Sequence, residues 1–475
     1  MSATRRIAKN TVFLYIANVI TLLIFLFLSI LIARELGDVT LGKFSFAFSL
    51  SIISGIFISL GYDTLIIRDV ARDWALAPKY LGNIISIKAI LSLIVFGLMA
   101  LIISLMHYPS DTTGAVLIFL AYAVITAFTV IFKVTFRAFE RMEYEALSES
   151  TGRLITFFLG VAALFLGYGL LVIVGAFLIG SMCDLVISYF FCSRKFAKPK
   201  PEIDLDFWKK ITKAAIPIGF LSLTSVIYIR TDTVMLSIMK GDAVVGWYTA
   251  AYNLILALNQ MPFIFTTAVF PMMSRLFVSS TNSLRLTYEK MLNYLFIVGL
   301  PLALGTMLLS GRIILLFYGE QFIESIAALQ IVSWNIVVFF LYFPLGMLLV
   351  SINKQNQMAI TGGICALLNI VLNLILIPPL SYIGAGIATL ATQVILFGFY
   401  FYFAAKQSYR LQLHKIAAKP IIASAVMAVF LYFNSQLNLA VLIIVGIVIY
   451  FTVFLLIKGF TREDWQLLGS IIRRQ

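Results

Sequence analysis

An arginine and an aspartate two residues apart, Arg230 and Asp232, stand deep inside the apolar run from Lys213 to Leu254. In hydrocarbon each such charge costs roughly 2.5 to 3.5 kcal/mol at the centre of a span on insertion scales, so each needs a partner or a task. Side chains two apart on a helix diverge, and the pair is not expected to neutralise itself. Asp232 shares a face with Tyr228 and Ser225, and Arg230 looks elsewhere. A basic group at that depth suits phosphate, and a carboxylate suits a cation or a proton. Three further ionisable residues lie within apolar runs. Lys88 either lines an inner cavity or snorkels to the surface, and Lys133 is close enough to a span end to snorkel. Asp184 suits a proton or sodium site, or a buried pair with Lys88. Arg34 and Lys43 flank the first outer turn, where they would receive phosphate or anchor the interface. Amides supply the neutral polar groups. Asn253 and Gln260 are seven apart, hence on one face, with Pro262 expected to break the helix just beyond. Asn369 and Asn373 form an i,i+4 pair, and Pro217 is a candidate kink. Such amides serve either as polar contacts for a ligand or as interhelical glue.

The elements that must hold these residues are read from composition. Of 475 residues, 61% are hydrophobic and 12% charged, far from soluble usage. Apolar runs long enough to cross a ~30 Å core recur from end to end. Fourteen spans are expected, beginning near Asn10, Leu41, Leu81, Gly114, Gly152, Leu170, Ala214, Val244, Lys290, Ala327, Gln357, Ile383, Ile416 and Leu439. Only the turn Gly167-Tyr168-Gly169 divides the fifth from the sixth. The first run is longer than a signal-peptide core and is expected to be retained.

Of the 35 basic residues, 28 fall on the side that holds both termini. Four (Arg34, Lys43, Lys240, Arg312) fall on the other side and three within spans. That asymmetry places both termini in the cytoplasm and explains the net charge of +14 without nucleic acid. The loop Ser193 to Lys213 reads as an extended Lys-Pro linker with a short interfacial helix at Phe207-Trp208. The C-terminal tail, with Thr461 as N-cap and Trp465, Leu468 and Ile472 at helical spacing, is expected on the inner membrane surface.

The chain also contains two copies of one pattern. At an offset of 204 residues GDVTLGKFSFAFSL (Gly37 to Leu50) falls on GDAVVGWYTAAYNL (Gly241 to Leu254), sharing Gly-Asp-x-x-x-Gly in the same inter-helix turn. Six spans per copy, both starting on the same side, make a parallel repeat of transporter type. The expected organisation is an N-terminal lobe (1–192), a cytoplasmic linker (193–212) and a C-terminal lobe (213–405), the lobes enclosing a central cavity. Residues 406–475 add two helices and the tail. At the same offset Arg230 and Asp232 fall on Leu26 and Leu28, so the charges belong to the second copy alone.

The stretches LIARELGDVTLGKFSF, LGYDTLIIRDVARD, YIRTDTVMLSIMKGDAVVGWYTAAYNL, VFPMMSRLF and SINKQNQMAITGGICALLNIVLNLILIPPLSYIGAGIATLATQ together cover nearly the whole chain. Their order and spacing resemble the polysaccharide-biosynthesis flippases of the multidrug/oligosaccharidyl-lipid/polysaccharide exporter superfamily. The resemblance implies twelve core helices in two lobes, often with two more. It also implies outward movement of an oligosaccharide carried on a polyprenyl phosphate or diphosphate. Its implied partners are that lipid-linked substrate, membrane lipids, a coupling H+ or Na+, and the polymerase or glycosyltransferases of the same pathway. The rivals within the superfamily are a lipid II flippase and an antiporter of organic cations. A membrane-embedded glycosyltransferase is a third class, disfavoured by short outer loops. No Walker loop, dinucleotide fingerprint or HExxH occurs, and Cys183, Cys192 and Cys365 have no metal-ligand spacing, so neither cofactor nor enzymatic activity is expected.

Overall fold

The computed structural model describes the backbone of residues 3–407, 409 and 413–460, and the side chains of 19–407, 409 and 416–460. The expected amphipathic tail with Thr461, Trp465, Leu468 and Ile472 lies outside the described residues. The described chain is helical throughout, as a bilayer demands, because every backbone polar group in hydrocarbon must be satisfied within its own segment. In order, the helices are α1 (Ala3–Ser59), α2 (Tyr62–Arg72), α3 (Ala77–Leu105), α4 (Ser110–Ala138), α5 (Met142–Phe165), α6 (Leu170–Lys195), α7 (Leu205–Lys240) and α8 (Asp242–Leu258). There follow α9 (Gln260–Ser279), α10 (Thr281–Leu308), α11 (Ser310–Phe317), α12 (Ser325–Val332), α13 (Trp334–Ser351), α14 (Gln355–Lys406), α15 (Leu413–Phe433) and α16 (Leu439–Leu456).

Among the described residues, 11 helical segments are long and apolar enough to cross a membrane. Two of them, α1 and α14, each run through a non-helical residue, Gly37 and Ser381, and so contain two spans apiece. With α5 counted, the fourteen expected spans are all accounted for. The division at Gly167-Tyr168-Gly169 falls where expected, between Phe165 and Leu170.

The repeat is visible in the backbone. Gly37 has φ 82° and ψ −179°, and Gly241, its counterpart at the offset of 204, has φ 93° and ψ 174°. That region is essentially closed to residues with a Cβ, which accounts for glycine at both positions.

Two details differ from expectation. Phe207 and Trp208 do not form a separate interfacial helix. They lie in the first turn of α7, which runs unbroken to Lys240. Asp204 caps that turn by accepting from the Phe207 N–H, and this bond, then the Lys79 ammonium, holds its carboxyl below the usual range. The break near Pro262 falls earlier, at Asn259 between α8 and α9, so Asn253 and Gln260 stand on separate helices.

By packing, the chain forms two compact units: residues 1–250 with 362–385, and residues 251–361 with 386–475. The first unit therefore includes α7 and much of the first half of α14. Its core runs from Tyr62, Leu65 and Ile66 of α2 through Ile84 and Phe136 to Ala215 of α7. In the second unit Met427 and Leu431 of α15 close on Leu442, Tyr450 and Phe454 of α16, with the Tyr450 hydroxyl donating to the Ile297 carbonyl at 2.7 Å.

Candidate functional site

In the first unit α7 carries both of the charges that define its middle, and the fold sends them to different surroundings. The Asp232 side chain is 3% exposed. Tyr248 Oη of α8 donates to its Oδ2 at 2.9 Å, and Asn373 Nδ2 of α14 donates to its Oδ1 at 2.8 Å. The same Nδ2 reaches Asn369 Oδ1 at 3.0 Å. The two asparagines are fully buried, and among the described residues Asn373 Oδ1 and Asn369 Nδ2 have no protein partner. Asp232 is thus a buried carboxylate that accepts from a hydroxyl and an amide, beside one amide oxygen and one amide nitrogen with no protein partner. Arg230, half-buried, lies with its guanidinium carbon 5.4 Å from the ring centroid of Phe48. Phe48 belongs to an aromatic group with Phe25, Phe44, Phe119, Tyr122 and Phe177.

The remaining intramembrane charges are paired. Lys88 neither snorkels nor lines a cavity: it is 0% exposed, and its three N–H groups go to Asp63 Oδ1 (2.7 Å), the Ala127 carbonyl (2.9 Å) and Ser59 Oγ (3.3 Å). Its donors are thus saturated by protein. Lys133 does not snorkel either; it bonds Asp184 Oδ2 at 2.8 Å and Glu149 Oε2 at 3.1 Å. The expected pairing of Asp184 with Lys88 is therefore replaced by pairing with Lys133. Arg153 donates to Tyr122 Oη at 3.3 Å, one helical turn from Glu149 on α5. The expected start of the fifth span at Gly152 left Glu145 and Glu149 outside it, although Glu145, Glu149 and Arg153 at i,i+4 spacing marked one helix face.

Lys88→Met is expected to destabilise the protein by about 3–5 kcal/mol, because it leaves Asp63 as an unpaired charge in a low-dielectric site. Thermal unfolding in detergent reads the loss. The double variant Lys88→Met/Asp63→Asn is expected to recover more than half of it.

At the turn predicted to lie outside, Lys43 is tied to Asp111 at 2.6 Å, and Arg34 is exposed. Asn253 is buried in α8 and Gln260, half-buried, opens α9; both belong to the second unit, the Asp232 cluster to the first. That second unit also holds an apolar hollow of about 510 Å³, bounded by Leu258, Pro301, Leu309, Phe317, Met427 and Leu442.

Both the sequence and the fold have known relatives. The sequence model of the family described as "Polysaccharide biosynthesis protein" matches residues 7–277. The chain belongs to this family. It is 30% identical over 117 residues to the lipopolysaccharide biosynthesis protein WzxC of Escherichia coli, a stretch that is 24% of each chain. It is 24% identical over 265 residues to the probable flippase AglR of Haloferax volcanii, 54% of each. The chain thus spans between about a quarter and about half the length of these curated relatives. In fold it is similar to the lipid II flippase MurJ in an inward closed conformation, with a TM-score of 0.77 at 16% identity over 94% of this chain and 98% of that one. A multidrug-resistance transporter of the MATE family in an inward-facing conformation gives 0.66 at 16% identity, covering 81% and 95%. The fold is therefore that of the MurJ and MATE transporters, an all-helical multi-pass membrane architecture.

Proposed function

We propose that this protein is a flippase that moves a polyprenyl-phosphate- or diphosphate-linked oligosaccharide across the cytoplasmic membrane by alternating access, with both termini in the cytoplasm. The observation that carries this reading is the polarity of α7. Its half-buried charge is Arg230 on an aromatic ring, whereas its carboxylate is withdrawn into a buried hydrogen-bonded cluster. A half-buried cation beside ring faces suits a phosphate followed by sugars. An exporter of organic cations would need the carboxylate in that position. Family membership and the names of the two curated relatives support the same class of substrate.

On this reading the lobes 1–192 and 213–405 rock against each other about a central cavity. The apolar hollow of the second unit takes part of the prenyl chain. Asp232 with Asn369 and Asn373 takes the coupling H+ or Na+, and Asp184, held by Lys133, is the other ionisable candidate. Substrate arrives from, and product passes to, the glycosyltransferases and polymerase of the same pathway.

Reconstitution in vesicles with a lipid-linked oligosaccharide tests the assignment. Arg230→Ala is expected to lower the flipping rate roughly tenfold or more, the equivalent of one charge-assisted contact of about 1.5–3 kcal/mol. Arg230→Lys is expected to recover only part, since lysine lacks the planar fork. Unchanged flipping in Arg230→Ala removes this residue from the site. Uptake of organic cations that depends on Asp232, with no lipid flipping, overturns the function itself.

A further inference from the structure

Glycine occupies four positions where α7 and the start of α8 meet the second half of α1 and the turn after it. At one end the two copies of Gly-Asp-x-x-x-Gly face each other. A Cβ on Gly42 would overlap the Asp242 carbonyl, and a Cβ on Gly246 would overlap the Asp38 carbonyl. At the repeat offset Gly42 corresponds to Gly246 and Asp38 to Asp242, so the contact is reciprocal: each copy presents its glycine to the other's aspartate backbone. Polar groups fasten the same place. Trp247 Nε1 donates to Asp38 Oδ2 at 2.7 Å, and Ser237 Oγ donates to Asp242 Oδ1 at 3.1 Å while lying 3.1 Å from Tyr108 Oη.

At the other end a second glycine pair does the same. A Cβ on Gly219 would stand 2.6 Å from the Leu60 carbonyl, and one on Gly61 would stand 2.6 Å from the Gly219 nitrogen and 2.7 Å from the Ala215 carbonyl. Tyr62 Oη and Thr212 Oγ1 are 2.8 Å apart beside it. Gly42 and Gly61 are 19 residues apart. At ~1.5 Å per residue that is about 28 Å, close to the thickness of the hydrocarbon core. The two contacts therefore lie at opposite membrane interfaces, with Arg230 and Phe48 between them.

We infer that these are two clasps that fasten the start of α8 and the body of α7 to α1 at opposite faces of the membrane, and that transport releases them in turn, one per half-cycle. Glycine is required because backbone must meet backbone for a span end to seal, and a contact without side chains re-forms at no rotamer cost. The outer clasp explains why Gly-Asp-x-x-x-Gly occurs in both copies: a reciprocal contact needs both halves. The inner clasp is not repeated. At the same offset Gly61 falls on Phe265, and Gly219 falls on Tyr15. Both clasps are engaged in this structure.

The inference rests on the proposed sidedness and transport, and the test separates them. On a background with Cys183, Cys192 and Cys365 replaced by serine, Ser237→Cys reports the outer clasp and Thr212→Cys the inner. Labelling by a membrane-impermeant maleimide is followed in intact cells and in inverted vesicles. Gly246→Val is expected to speed labelling at Ser237→Cys about tenfold from outside and to leave Thr212→Cys unchanged. Gly219→Val is expected to do the opposite, from the inner side. Gly55→Val, on the same α1 but with no atom within 4 Å of its added Cβ, is expected to change neither. If a valine variant fails to purify as a monodisperse protein, Gly42→Ala, Gly246→Ala and Gly219→Ala replace it, with the same directions and smaller effects. Rates unaltered in the folded variants, or both reporters accelerating together, overturn the clasps. Acceleration of the correct reporter from the opposite side upholds the clasps and refutes the sidedness. Clasp-specific labelling in a protein that flips no lipid-linked sugar upholds them and refutes the proposed substrate.

Discussion

Asp232→Ala is expected to reduce coupled transport roughly 100-fold, the upper part of the 1–3 kcal/mol range of coupling free energies between sites. The carboxylate is the centre of its cluster: Tyr248 and Asn373 both donate to it, and Asn373 also bridges to Asn369. Removing it strands two buried donors at about 1–3 kcal/mol each, so Asp232→Ala also lowers stability. Asp232→Asn separates the two effects. The amide keeps the volume and one acceptor and is expected to restore most of the thermal stability. It has no charge to attract a cation and no proton to exchange, so the stimulation of flipping by an imposed H+ or Na+ gradient is expected to vanish. Flipping assayed in vesicles with and without each gradient reads this directly. A gradient response that survives Asp232→Asn takes the coupling role away from this cluster.

How much of this was legible in the sequence follows from the range of each interaction. The fourteen spans and the turns at Gly37 and Gly241 are local properties of hydropathy and backbone, and both could be read. The pairing of Asn369 with Asn373 is also local, one helical turn, and it is present. What joins that pair to Asp232 is a contact across 141 residues of sequence, which no periodicity encodes. The same holds for Lys88 with Asp63 and for Lys133 with Asp184. An intramembrane lysine announces that it needs a carboxylate, but several were available and only the packing of α2 to α6 chooses among them. Phe48 and Tyr248 carried no signal of their own, because aromatic residues are common in every span. The offset of 204 aligned the two Gly-Asp-x-x-x-Gly turns without indicating that they touch. Their contact is a property of the assembled bundle.

Lys133→Met is expected to cost about 3–5 kcal/mol, because it removes the cation that bonds two acidic groups from different helices. Glu149 comes from α5 and Asp184 from α6, and Lys133 of α4 bonds both. Without it both carboxylates lose their hydrogen-bonded ammonium in a region that water barely reaches, and the bundle of α4, α5 and α6 loses its brace. Thermal unfolding in detergent is expected to fall by several degrees. Lys133→Met/Asp184→Asn removes one charge of each sign and is expected to recover most of that loss. The double variant also decides what Asp184 does. If its carboxylate serves as a coupling group, the rescued protein is stable yet no longer responds to an ion gradient. If it serves only to satisfy Lys133, stability and gradient response return together. The second outcome is expected. A group already bonded to an ammonium at 2.8 Å and to Ser188 Oγ at 3.2 Å must give up a buried ion pair to take a proton.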